Sequence, residues 1–188
     1  MSAAPEGPGT PARRGHLVAG TLAFVLLAPG STVGLVPWLI TRWRLARPPL
    51  GWTGLRWVGA AIIVAGFLVF ADAVRRFLVE GRGTPAPIAA PERFVATGPY
   101  RLVRNPMYVG VLAMVAGQAL LLASPWTGVY AVVLAAAFHL FVLGYEEPNL
   151  RARFGASYDD YRSQVGRWVP GLGRSRVTGR SPRSADSP

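Results

Sequence analysis

Four apolar stretches, Leu17–Ile40, Trp57–Val74, Met107–Ala123 and Trp126–Tyr145, set the limits on what this chain can become. A helix needs roughly 20 apolar residues to cross about 30 Å of hydrocarbon. The first stretch exceeds that length and the other three approach it. In lipid every backbone N–H and C=O must be satisfied inside the segment, so such stretches become helices. The chain is therefore expected to be all-α and integral to a membrane, with about four transmembrane helices. Composition agrees, since 51% of the 188 residues are hydrophobic and only 15% are charged.

The first stretch contains Ala28-Pro29-Gly30-Ser31 and Pro37. Breakers at membrane depth are tolerated only where other protein or a watery cavity satisfies the freed backbone, so this span is expected to be kinked or broken. It is too long for a signal-peptide core, and no small-x-small cleavage site follows it cleanly. Asn105-Pro106 and Ser124-Pro125 place an N-cap residue before a Pro at the first helical position, which marks two helix starts independently of hydropathy. The short uncharged turn at Ser124-Pro125 makes the last two spans a tight antiparallel hairpin.

All twenty basic residues are Arg, and net charge is +11. They flank the apolar runs instead of lining one face of a soluble fold, which argues for a membrane surface and against nucleic acid. With four spans and both termini cytoplasmic, sixteen Arg fall on the cytoplasmic side, while Arg42, Arg44, Arg47 and Arg56 run against the charge rule on the outer side. Trp38, Trp43, Trp52 and Trp57 cluster around that outer loop like an interfacial belt. The expected membrane is the inner or plasma membrane of the cell. Cysteine is absent, which removes disulfides, thiol nucleophiles and Cys-ligated metals.

Beyond Glu147, Leu150, Phe154, Tyr158, Tyr161 and Val165 recur at spacings of three and four, the pattern of amphipathic helices lying against the cytoplasmic face. Gly155 is expected to end one helix, and Ser157 with Asp160 resembles a capping box opening the next. Four regions result: a disordered N-terminus over 1–15, N-terminal helices over 16–79, a core over 80–170, and a disordered basic tail over 171–188.

Chemistry concentrates in two clusters that a hairpin would bring to one membrane face. The first is Gly98-Pro99-Tyr100 followed by Arg104-Asn105-Pro106-Met107-Tyr108, at a helix N-terminus whose free N–H groups favour an anion. It could equally be a membrane-entry motif. The second is Glu146-Glu147, at the expected end of the fourth span, where the helix dipole disfavours carboxylates. A cationic ligand, or Arg101, Arg104 or Arg151, must compensate. His139 lies two helical turns before Glu146 and is the one internal imidazole able to act as a catalytic base, or else it is a neutral His bonded to a neighbouring helix. Asp72 is placed to pair with Arg75. No phosphate loop, Gly-x-Gly-x-x-Gly or His-x-x-x-His occurs.

Taken in order, these pieces resemble the integral-membrane methyltransferases typified by isoprenylcysteine carboxyl methyltransferase, together with the phospholipid methyltransferases. The pieces are Gly98-x-Tyr100, Arg104-Asn105-Pro106-Met107-Tyr108, Glu146-Glu147-Pro148-Asn149-Leu150, Phe154-Gly155-x-x-Tyr158-x-x-Tyr161 and Trp168-Val169-Pro170. The resemblance covers about residues 80–170. It implies S-adenosylmethionine (SAM) as cofactor, with Val95, Tyr100, Asn105, Pro106, Tyr108 and Glu146 at cofactor-contacting positions. It implies a lipophilic small molecule or lipid as the acceptor, through a carboxylate, amine or thiol. Two departures stand out. Asn105 replaces the family's usual His and cannot carry a proton. Val142 stands where the eukaryotic prenylcysteine enzymes place a substrate-binding Arg, so a prenylated cysteine carboxylate is not the expected acceptor. A different class, a small transporter or complex subunit without catalysis, draws on the interrupted first span.

Overall fold

The computed structural model describes residues 27–47, 51, 53–80 and 96–171. The expected disordered ends, apart from Gly171, lie outside these residues, as do Val95 and Trp52. Helix α1 is Leu27–Thr41, α2 is Gly54–Glu80, α3 is Pro106–Leu121 and α4 is Pro125–Phe141. Two short helices follow, α5 (Glu147–Phe154) and α6 (Ala156–Gln164). No strand occurs among the described residues, only an isolated bridge between Val103 and Gly166.

This is an all-α membrane protein. Gly54–Arg76 and Pro125–Phe154 are each long and apolar enough to cross a bilayer, and within the described residues α1 and α3 are shorter apolar helices, with residues 17–26 of the expected first span lying outside them. One core ties all four together: Phe70, Val111 and Met114 meet Val33, Ile63, Leu134 and Phe138. Outward-facing Val64, Phe67 and Leu68 of α2 and Val129, Val132 and Val133 of α4 stay exposed, as lipid-facing side chains should.

The expected break in α1 takes another form. The helix runs on through Pro29 and Pro37, with a π turn over Ser31–Leu35. Pro37 offers no N–H to the Val33 carbonyl four residues back and would clash with it in an α-helix. The π turn moves that carbonyl aside, and Gln118 Nε2 of α3 donates to it at 2.8 Å. The Tyr130 hydroxyl of α4 donates to the Thr32 carbonyl at 3.1 Å. Neighbouring helices thus satisfy the backbone that proline frees. A second π turn, Val142–Glu146, joins α4 to α5, and it too ends two residues before a proline, Pro148. The fourth span therefore does not stop at Glu146-Glu147, and the expected conflict with a helix C-terminus does not arise there.

The tightest helix pair is α2 against α3, built on glycines. Gly59 faces Gly117 and Gly66 faces Gly110. A methyl at Gly59 would lie 2.6 Å from the Gly117 carbonyl oxygen, and one at Gly66 would lie 2.8 Å from the Gly110 carbonyl oxygen. Between membrane helices, contact of this kind takes the place of hydrophobic drive.

Helices α3 and α4 form the expected hairpin through Leu122, Ala123 and Ser124. Ser124 caps α4, its Oγ accepting from Thr127 N at 3.2 Å and from Thr127 Oγ1 at 3.0 Å. Such a cap stabilises by about 1 kcal/mol. Ala46 N donates to Leu122 O at 3.2 Å, so the loop after α1 meets this hairpin turn. Exposed Trp43, Trp57 and Trp126 gather at that end.

Two capping expectations are corrected. Asn105 precedes α3 without capping it: its Nδ2 donates instead to the Arg167 carbonyl at 3.2 Å. Ser157 and Asp160 form no capping box, because Gly155 (φ +53°) is the N-cap of α6 and Ser157 Oγ donates back to Phe154 O at 2.8 Å. Asp72 pairs with Arg75 at 3.0 Å, as expected, and with Arg76 at 2.9 Å.

Candidate methyl-transfer site

The segment before α3 folds back onto the membrane end of α2. Gly98 (φ +55°) permits a turn against Arg76 where a methyl would overlap the guanidinium. A 3-10 turn over Gly98–Arg101 then drops Tyr100 into contact with fully buried Ala73 and with Met107. The residues after α6 close over this segment. Arg104 N donates to Gly166 O at 2.8 Å, and the Tyr161 hydroxyl donates to Tyr100 O at 2.6 Å. The C-terminal helices thus lie across the bundle end as their amphipathic pattern predicts, with Tyr158 buried.

Under this cover the hairpin joins the two sequence clusters. The Tyr108 hydroxyl, one turn into α3, donates to Glu146 Oε2 at 2.8 Å. Two rings stand beside Tyr108. Phe138 is 4.6 Å from Tyr108 between centroids and Trp168 is 6.4 Å from it. Trp168 Nε1 donates to His139 Nδ1 at 3.0 Å. Burial, followed by the nearby negative charge of Glu146, pushes the Tyr100 phenol well above its usual range, so it stays neutral.

Glu147 faces other partners. Arg167 grips it with Nε at 2.7 Å and Nη2 at 3.0 Å, and Arg104 Nη2 approaches at 3.3 Å. The bond to Glu147 raises Arg167 further above its usual range. Of the three Arg considered as compensators, Arg104 serves. Arg151 pairs with Asp159 at 3.1 Å instead, and Arg101 lies exposed. Arg167 is a compensator that no local pattern singles out from its neighbours.

The chain from residue 55 to 157, more than half of its length, matches the family described as phospholipid methyltransferase. The chain belongs to the phospholipid methyltransferase family. Among curated relatives it resembles methanethiol S-methyltransferase 2 of Bradyrhizobium diazoefficiens, at 30% identity over 84% of this chain and 56% of that protein. It resembles protein-S-isoprenylcysteine O-methyltransferase A of Arabidopsis thaliana at 36% identity, over 40% of this chain and 39% of that one. A probable protein-S-isoprenylcysteine O-methyltransferase of Oryza sativa subsp. indica is 32% identical over 42% of this chain and 41% of its own length. The chain spans about half the length of the first of these relatives and less of the others.

Phospholipid methyltransferase membership disfavours the transporter or subunit alternative. Of the residues expected at the cofactor, Tyr100, Asn105, Pro106, Tyr108 and Glu146 come together at one end of the bundle. Val95 lies outside the described residues. Val142, which stands where an Arg would serve a prenylcysteine, is fully buried. Tyr161, Trp168 and Phe138 were not assigned to this site from sequence. Tyr161 and Trp168 lie within motifs that carry the resemblance, whereas Phe138 had no signal beyond belonging to an apolar run.

Proposed function

We propose that this chain is a membrane methyltransferase that takes its methyl group from SAM and delivers it to a lipophilic acceptor. The carrying observation is the Tyr108–Glu146 pair, walled by Phe138 and Trp168, at the end of an apolar helical bundle. The residues suit SAM. Glu146 Oε1 takes no bond from a described residue, which leaves it able to accept from a hydroxyl or ammonium of the cofactor. Tyr108, Phe138 and Trp168 offer ring faces to a cation. When bound, SAM supplies an electrophilic methyl on a sulfonium.

Tyr108 holds Glu146 in one orientation, and Asn105 ties the C-terminal cover to the start of α3 through Arg167 O. That cover lies over the site, where Tyr108, Glu146 and Trp168 stay partly exposed. Displacement at a methyl group asks chiefly for alignment of nucleophile and methyl, and positioning can supply about 7–11 kcal/mol of a barrier. His139 accepts from Trp168 at Nδ1, so its neutral form carries the proton on Nε2. In that tautomer it donates to an acceptor group and does not take its proton. This favours an acceptor that arrives as an anion, a carboxylate or a thiolate, over an ammonium. The likeness to a methanethiol S-methyltransferase supports a thiol in particular. The acceptor enters between helices from the bilayer, with the site on the cytoplasmic face and both termini on that side. The working unit is then the core over residues 80–170, carried by the N-terminal helices.

Calorimetric titration of detergent-purified protein with SAM and with S-adenosylhomocysteine tests the cofactor. Wild type should bind, and Glu146→Ala should not. Radiolabelled SAM supplied with a hydrophobic thiol, a hydrophobic carboxylate and a lipid amine in parallel tests the acceptor. A folded wild type that binds neither nucleoside sinks the proposal.

A further inference from the structure

A pocket of about 600 Å³ lies beside α5, and its lining includes none of Tyr108, Phe138, Glu146 and Trp168. Its basic wall is Arg151, Arg162 and Arg167, against the single carboxylate Glu147. Its apolar wall is Leu143, Pro148 and Ala152. Glu147 is already held by Arg167 and Arg104. Arg151 leans on Asp159 through an exposed pair, which contributes little. Arg162 makes no bond to a described residue and is exposed. The pocket therefore carries an uncompensated positive charge, with guanidinium donors free to take an oxyanion.

The apolar wall decides what kind of anion fits. Leu143 lies roughly 27 Å along the helix from Pro125, at about 1.5 Å per residue. That is close to the ~30 Å of a hydrocarbon core. With Pro125 at one boundary of the bilayer, the pocket sits at the other, at headgroup depth. Leu143 continues into Leu140 and Phe141, which are exposed on the face of α4. A free phosphate would use the arginines and leave this apolar path empty. A phospholipid would use both, its phosphate at Arg162 and Arg151 and a chain along Leu143 and Leu140.

We propose that this pocket is a binding site for the headgroup of an anionic membrane phospholipid, separate from the methyl-transfer site. Glu147 and Arg167 form its floor, and the Arg167 carbonyl takes the bond from Asn105. A lipid held there would brace the cover over the methyl-transfer site.

Native mass spectrometry of the detergent-purified full chain tests this, with dioleoyl-phosphatidylglycerol and dioleoyl-phosphatidylcholine as probes. Wild type should retain one phosphatidylglycerol and hold it more tightly than phosphatidylcholine. Arg162→Gln and Arg151→Gln should each weaken retention by about tenfold, the scale of one lost charge-assisted bond. Arg153→Gln, which lies outside the pocket, should leave it unchanged. Arg162 bonds nothing that holds the fold, so Arg162→Gln should melt like wild type. Equal retention of the two lipids would overturn the proposal. So would unchanged affinity in Arg162→Gln, or displacement of the lipid by inorganic phosphate.

Discussion

Glu146 and Glu147 are adjacent in the chain and hold different partners. Glu146 accepts from the Tyr108 hydroxyl at 2.8 Å, whereas Glu147 closes on Arg167 at 2.7 Å and Arg104 at 3.3 Å. A helix turns about 100° per residue, so the two neighbouring carboxylates point to different partners. One is left for a ligand and the other holds the cover in place.

The two carboxylates should therefore fail differently. Glu147→Ala leaves Arg104 buried without its partner and is expected to destabilise by about 3–5 kcal/mol. Glu146→Gln should change stability by no more than about 1 kcal/mol and abolish SAM binding. Thermal unfolding in detergent beside calorimetry separates the two. A Glu147 variant that melts like wild type would refute the structural role.

Pro148 is expected to set the direction of Glu146. Its missing N–H and its ring favour the π turn over Val142–Glu146. Pro148→Ala restores a donor to the Gly144 carbonyl and lets an α-helical ladder compete. The expected result is SAM binding weakened by roughly tenfold, about 1.4 kcal/mol, with helicity by circular dichroism preserved. Unchanged binding would mean the π turn stands without proline.

Gly59→Ala should loosen the bundle at the end of α3 away from Tyr108. The added methyl would lie 2.6 Å from Gly117 O and 2.7 Å from Leu121 N, so α2 and α3 must separate. Overpacking of this kind costs about 1–3 kcal/mol. The melting temperature should fall while the affinity for SAM, measured well below it, holds.

Gln118→Leu removes the donor that serves the Val33 carbonyl beside Pro37. An unsatisfied buried carbonyl costs about 1–3 kcal/mol, and α1 should exchange its amides faster than α2. Hydrogen exchange resolved by mass spectrometry reads this directly. Equal protection of α1 in both proteins would show that water or lipid headgroups replace the glutamine.

Trp168→Phe keeps a ring over Tyr108 and removes the donor to His139. The imidazole is then free to change tautomer. Methyl transfer is expected to slow by roughly tenfold through lost positioning, with little change in SAM affinity. Loss of SAM affinity with normal turnover would show that the indole N–H serves the cofactor and not His139.

Much of this architecture could be read from the chain alone. Apolar length against bilayer thickness implied helices, Ser124-Pro125 marked a turn, and the Tyr108 and Glu146 motifs pointed to one membrane face. Those inferences rest on local chemistry and on one global constraint, the absence of water in lipid. Other features depend on which surfaces meet. Nothing local distinguishes Gly59, Gly66, Gly110 and Gly117 from other glycines until α2 lies on α3. Proline in α1 reads as a break until Gln118 and Tyr130 arrive from two other helices to take the freed carbonyls. Asn105 reads as a cap until the Arg167 carbonyl takes a bond from its Nδ2 and its oxygen is left without an α3 N–H. Glu146 and Glu147 look alike until a π turn and the returning C-terminal segment divide them. Hydrogen-bond partners tens of residues apart are chosen by packing, and packing is a property of the whole bundle.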